Sequence, residues 1–326
     1  MKKIKNNFKI MILFSIALLF FIYINNSSLF VEERKGEPIL LAHRGLAQTF
    51  PMNNITGETC TAEIIHEPEH PYLENTIPSI EAAFNAGADI VEIDIQPTKD
   101  GEFALFHDWT LDCRTDGTGK TREHTMDELR KLDIGYGYTA DNGKTYPFRG
   151  KELGPMPTLN EVLTRFPNKE FLIHIKSNDP SEGARLAKYL TSKYSDERIS
   201  QLTVYGGNEP IETLQATLPD LRVMSKDTLK SCLLSYEALG WTGYIPKSCK
   251  NTQIHLPEKY ASYLWGFPHK FINRMEDVNT RVILVAGNGD WSEGFDQESD
   301  LERLPESYRG GIWTNRIDRI APIINN

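Results

Sequence analysis

The sequence predicts an α/β fold: a (β/α)8 barrel with long inserted loops, preceded by an N-terminal membrane-targeting helix. Two observations predict the barrel. From Glu37 onward, short apolar runs alternate with amphipathic stretches. The runs are also nearly uninterrupted by polar residues, as expected of parallel strands covered by helices on both faces. About eight such runs fit a closed barrel better than an open sheet, and 326 residues accommodate one barrel of ~250 residues with insertions.

Taken in order, residues 1–31 read as a signal peptide or an uncleaved anchor. Lys2, Lys3, Lys5 and Lys9 precede an apolar run over residues 10–24 that only Ser15 breaks. Positive charge ahead of an apolar run keeps the N-terminus in the cytoplasm. The run is short for a span of ~20 residues, but no small-x-small cleavage pattern follows it, so anchor and cleaved signal both stay open. A buried core helix is the remaining alternative. Both leading readings export the rest of the chain to a periplasmic or extracytoplasmic location, in one case anchored by residues 10–24. No Cys lies close behind the run, so no lipid-modified anchor is expected.

The barrel domain is expected over residues 37–323. Candidate strands fall at 39–42, 90–95, 103–106, 171–175, 202–205, 221–225, 282–285 and 311–313, with 253–256 as a possible further strand. Helical patterns fall at 77–86, 126–132, 159–166, 182–193, 211–218 and 228–239. Two irregular segments, 46–73 and 114–156, interrupt the rhythm, and insertions of this length commonly serve as functional loops or lids. No Ser/Gly linker divides the chain, so one domain is expected.

An apolar fraction of 40% supplies a substantial core. A net charge of −9, without a long Lys/Arg run after the first ten residues, argues against a nucleic-acid partner. A small phosphate ester needs only one or two local cations and stays possible. In an exported chain the four cysteines can pair, Cys60 with Cys113 and Cys232 with Cys249 by preference; free or buried thiols are the alternative.

The chemistry concentrates at strand ends. In Ile90-Val-Glu92-Ile-Asp94-Ile, period two puts both carboxylates on one face. Two acids pointing into a barrel are costly unless something neutralises them, and a divalent cation is the natural compensation. An edge strand with its acids facing water is the plainer alternative. His43-Arg44-Gly45 ends the first strand and His107-Asp108 the third. The C-terminal strand ends are where barrels place reactive groups, and two imidazoles there offer a base and an acid. Arg44 could hold a phosphate oxygen.

Together these fragments resemble the glycerophosphodiester phosphodiesterase family. They are His43-Arg-Gly45, Glu74-Asn-Thr76, Gly87–Gly101 with its Glu-x-Asp, His107-Asp108, Lys176 and Gly311-Ile-Trp-Thr-Asn-Arg316, in family order. The resemblance spans roughly residues 38–320 and is densest over 43–120. It implies a TIM barrel that hydrolyses glycerophosphodiesters, the deacylated phospholipids, to glycerol phosphate and an alcohol with one divalent ion, Ca2+ or Mg2+. By the same resemblance, His43 and His107 form the acid–base pair, Glu92 and Asp94 ligate the metal, Arg44 and Lys176 face the phosphate, and Glu74 lies at the pocket rim.

The chain departs from the family in three places. Family members usually carry Glu-x-Lys where this chain has His174-Ile-Lys176, so an imidazole takes the third ligand position, or else merely lines the pocket. As a ligand it would favour Mn2+ or another borderline metal. Residues 46–73 are a long insertion whose polar content suggests a solvated lid, with a second metal site at His66 and His70 as a minor alternative. Residues 286–291 replace the family's Trp-Thr-Val-Asn type of sequence, leaving Trp291 and Trp313 as candidates for headgroup stacking or rim packing. Two other functions compete: a phospholipase D-type enzyme acting on lysophospholipid or sphingolipid headgroups, and a non-catalytic barrel-fold binding protein.

Overall fold

The computed structural model describes residues 2–28, 31, 36–52, 55–56, 59–151, 153–289 and 293–325. Trp291 therefore lies outside the described residues.

Among the described residues nine strands are present: β1 (Ile39–Ala42), β2 (Ile90–Pro97), β3 (Phe103–Leu105), β4 (Glu170–Ile175), β5 (Leu202–Gly206), β6 (Arg222–Met224), β7 (Gln253–Pro257), β8 (Arg281–Val285) and β9 (Gly311–Thr314). Eight run parallel in the order β6-β5-β4-β2-β1-β9-β8-β7. A parallel bridge between Val223 and Thr252 joins the two ends and closes the ring.

The predicted barrel is thus present, but with two strands reassigned. The 103–106 run is not a barrel strand: β3 folds back antiparallel on β2, pairing Leu105 with Ile95. The eighth parallel strand is β7, the segment left as a possible extra. Gln253 and His255 break its apolar run; Gln253 is fully buried, and the His255 ring lies near Tyr205 and Trp313.

Strand parity sets two layers of core. Leu40, Ala42, Val91, Ile93, Ile173 and Val204 point outward beneath the helices. Leu41, Ile90, Leu172, Ile283, Val285 and Trp313 fill the barrel. Helix entries are defined by side chains: Thr76 and Ser79 form a capping box ahead of the helix Ile77–Ala86, and Gly87 ends it with φ 114°. That pairing fixes where the chain turns into β2.

Residues 46–73, expected as a solvated lid, are only partly solvated. Ala62, Ile65 and Leu73 join Phe106, Leu111, Met126, Tyr138 and Phe148 in a separate apolar cluster. The Cys60–Cys113 disulfide ties the two insertions, and Cys232–Cys249 ties the β6–β7 connection, as preferred from the sequence. The N-terminal helix Lys2–Asn26 projects from the barrel, and its stretch Asn6–Asn26 is long and apolar enough to cross a membrane.

Candidate active site

At the C-terminal mouth of the barrel, β2 presents Glu92 and Asp94, both fully buried. Tyr205 on β5 donates its hydroxyl to Glu92 Oε1 at 2.7 Å, and the Arg44 backbone N–H donates to Oε2 at 3.2 Å. Asp94 is fixed by Asn75, which donates to Oδ2 at 3.0 Å and accepts the Asp94 N–H at 2.9 Å. Asn75 does this from the left-handed region, φ 58°, which Asn tolerates better than most residues. His174 on β4 lies with Nδ1 2.9 Å from Asp94 Oδ1 and stacks on the Tyr205 ring, centroids 4.0 Å apart. Arg44 Nε and Lys176 Nζ approach Asp94 at 3.3 and 3.4 Å.

The two strand-end histidines flank this cluster, each held from behind. His43 Nδ1 meets Asn315 Oδ1 at 2.6 Å, and the Asn315 amide donates to Asp296 Oδ2 at 2.9 Å. The His43 ring lies over Trp313 at 4.6 Å, with Nε2 4.0 Å from Glu92. His107 Nδ1 meets Asp108 Oδ1 at 2.6 Å, and Asp108 Oδ2 accepts from Arg114 at 2.8 Å. Behind them, Glu74 accepts from Arg44 and from Arg114, each at 3.1 Å. Glu74, expected at the pocket rim, is therefore buried and shared between two guanidinium groups. His66 and His70, weighed as a second metal site, instead bond Thr49 and Gln48.

Burial dominates the electrostatics. It lowers His43 and His107, with the Arg44 charge assisting, and takes His174 down to about 4, with Lys176 assisting. Burial and the neighbouring Asp94 push Glu92 up. Asp94 faces the same burial, but Lys176, His107 and Arg44 outweigh it and hold the carboxyl low.

Glu92, Asp94 and His174 offer three ligand atoms within 4.8 Å of one another. The wider site holds four carboxylates, Glu74, Glu92, Asp94 and Asp108, against three cations, Arg44, Arg114 and Lys176. Among these seven groups the formal balance is −1, and a divalent cation would offset the buried acid pair. A cleft of about 480 Å³ opens beside His43 and Arg44, walled by Phe50 and Met52 of the first insertion and by Asn315 and Arg316. This set of donors and cations suits phosphoryl chemistry.

The glycerophosphoryl diester phosphodiesterase family model matches residues 43–217, more than half the chain. The chain belongs to this family. Among curated relatives, a glycerophosphodiester phosphodiesterase of Bacillus subtilis (strain 168) is 28% identical over 260 residues, covering 75% of this chain and 80% of its own. The human glycerophosphodiester phosphodiesterase 1 is 36% identical over a shorter stretch, 32% of this chain and 29% of its own. Among solved structures, the Agrobacterium tumefaciens glycerophosphodiester phosphodiesterase aligns with a TM-score of 0.58 at 19% identity, over 89% of this chain and 100% of its own. An Oleispira antarctica phosphodiesterase, solved in complex with sn-glycerol-3-phosphate, aligns at 0.55 and 18%, over 89% and 98%. The chain is thus a phosphodiesterase of the glycerophosphodiester phosphodiesterase class on the barrel fold of its relatives.

Several groups of this phosphodiesterase site were not singled out from the sequence. Asn75 and Asn315 stand inside quoted motifs yet were given no role. Tyr205, Asp296 and His255 had no local signal. His255 lies half-buried between Tyr205 and Trp313, ring centroids 5.9 and 5.2 Å away. Strand parity could have found Tyr205 and His255, since each occupies an inward position, two strands from the acid pair for Tyr205 and across the barrel from it for His255.

Proposed function

We propose that this phosphodiesterase hydrolyses glycerophosphodiesters to glycerol phosphate and an alcohol, with one divalent metal ion and with His43 and His107 as the proton-transfer pair. The observation that carries it is the arrangement of two imidazoles around the Glu92–Asp94–His174 group at one barrel mouth, with Arg44 and Lys176 beside it.

The donor set fits a divalent ion. Two buried carboxylates, one of them pushed up, are the groups an added cation relieves. Glu92, Asp94 and His174 would hold it, and once bound it supplies positive charge to a phosphoryl oxygen. His174 adds an imidazole to an otherwise oxygen set, which leans toward Mn2+ or a similar borderline metal rather than Ca2+. The chain's own groups do the rest. Arg44 and Lys176 would bind the non-bridging oxygens and oppose the charge that grows there. Asp108 stabilises an imidazolium at His107 better than the Asn315 amide does at His43, so His107 is assigned to protonate the leaving oxygen. His43, with Nδ1 engaged by Asn315, accepts from Arg44 Nε at 3.0 Å through Nε2, and is assigned to take the nucleophile's proton at that atom once Arg44 turns to the phosphate.

The helix Asn6–Asn26 is read as a membrane anchor, with the barrel exported. Two disulfides support an oxidising compartment.

The test is turnover of glycerophosphocholine and glycerophosphoethanolamine by the full chain in detergent. Chelation should abolish product, and Mn2+ should restore it at least as well as Ca2+. Full activity in excess chelator would sink the metal reading. Absence of glycerol phosphate among the products would sink the substrate reading.

A further inference from the structure

The end of the N-terminal helix does not hang free of the barrel. Ile22 and the helix's last residues, 24–26, are partly buried, while residues 6–21 and Tyr23 are exposed. Asn25 and Asn26 donate their side-chain amides to the Trp241 carbonyl at 3.1 and 2.9 Å. Arg274, itself buried, donates to the Asn25 carbonyl at 2.8 Å and to Asn26 Oδ1 at 3.0 Å. The same guanidinium donates to Tyr236 Oη at 2.8 Å and to the Gly240 carbonyl at 3.1 Å. One buried cation thus joins the last helical turn to two elements of the barrel, at the helix end where positive charge is favoured.

The attachment lies on a definite side of the molecule. Each helix after a strand runs back toward the strand starts. Tyr236, Gly240 and Trp241 come at the end of the helix Lys226–Leu239 and the turn after it, on the way to the start of β7. Arg274 is near the end of the helix His269–Glu276, just before β8 begins at Arg281. The chain from Asn26 also leads to the start of β1. The helix therefore meets the barrel on its N-terminal face, opposite the mouth that holds Glu92, Asp94 and the histidines.

Around that point exposed apolar and aromatic side chains gather among polar ones. Leu239 and Tyr244 are 45% and 53% exposed, and Trp241, whose carbonyl receives both asparagines, is half-buried. Trp and Tyr beside the end of a span are the residues that settle at a lipid–water boundary.

We propose that the barrel stands on the membrane on its N-terminal face, with Leu239, Trp241 and Tyr244 in the lipid headgroup layer beside the docked helix end. The catalytic mouth then opens away from the bilayer, toward water-soluble diesters rather than the lipids beneath it. The proposal rests on the anchor reading and adds to it an orientation and a contact surface. It also requires that residues 6–26 stay attached, since their last turn forms part of the contact.

The test places a single fluorescent label on the full chain in phosphatidylethanolamine–phosphatidylglycerol vesicles carrying a headgroup-proximal doxyl quencher. All four native cysteines are in disulfides, so an introduced thiol is the only labelling site. Tyr244→Cys reports the proposed contact, and Trp109→Cys, two residues beyond His107, reports the mouth. The expected result is several-fold stronger quenching at 244 than at 109. Equal quenching, or stronger quenching at 109, overturns the orientation. Asn25→Ala/Asn26→Ala should leave vesicle flotation and diester turnover intact while reducing quenching at 244 by half or more; unchanged quenching overturns the docked contact. If the chain floats but the 244 label is unquenched, this proposal fails while the anchor reading stands. If it does not float, the anchor reading fails and carries the proposal with it.

Discussion

Tyr205 illustrates how much of the site depends on contacts far apart in sequence. Its hydroxyl holds Glu92, 113 positions away, and its ring supports His174. The carboxylates themselves were legible, because alternation along β2 is a local pattern and burial of charge has a known cost. Their supports were not, because a Tyr on another strand announces no partner. The same holds for Asp296, which reaches His43 only through Asn315. Two expectations belong to this scale. His43→Asn and His107→Asn should each lower kcat by about 10²–10⁴-fold, the usual worth of a positioned proton-transfer group. A loss under about tenfold in either variant would remove that residue from the reaction. For the metal, His174→Glu should move the preference among added ions from Mn2+ toward Ca2+ or Mg2+. An unchanged metal profile would show that His174 lines the pocket without binding the ion.

Among the elements, β3 and β7 show where sequence patterns mislead. The run at 103–106 is as apolar as a barrel strand, and nothing in it encodes that it folds back on β2. The β7 segment looked weaker because inward-facing Gln253 and His255 interrupt it. The first insertion shows a further limit, since its polar composition concealed Ala62, Ile65 and Leu73 in an apolar cluster. It is also pinned to the last helix, where Glu69 accepts from Arg316 and Arg319 at 2.6 Å. Those hydrogen bonds hold the Glu69 carboxyl down to about 2, from the usual carboxylate range. A depressed carboxylate gives stability that is complete above its unfolded pKa and fades as pH falls through the folded one. The attachment of the insertion should therefore weaken progressively as pH falls below about 4.5 and be lost by about pH 2. Pepsin cleavage within residues 46–73 measures this, and release already near pH 4.5 would contradict it.

For the molecule as a whole, the closed ring of parallel strands was legible from strand–helix rhythm, and the family resemblance agreed with it. The two disulfides offer a global comparison. Cys60–Cys113 spans 53 positions and Cys232–Cys249 spans 17. If each acts mainly by restricting the unfolded chain, removing the longer link should cost about 1 kcal/mol more than removing the shorter. Denaturant midpoints of the two double Cys→Ser variants decide this, and equal losses would point to effects within the native fold instead.

The longer bridge also has a consequence in time. It joins the first insertion, which lines the reactive cleft, to the chain just before Arg114 of the Asp108–Arg114 pair that steadies His107. Such a bond persists only where thiols are oxidised. If the chain is exported as proposed, that side of the cleft would gain its fastening only after it leaves the cytoplasm. The cystine would then act as a latch that closes on export.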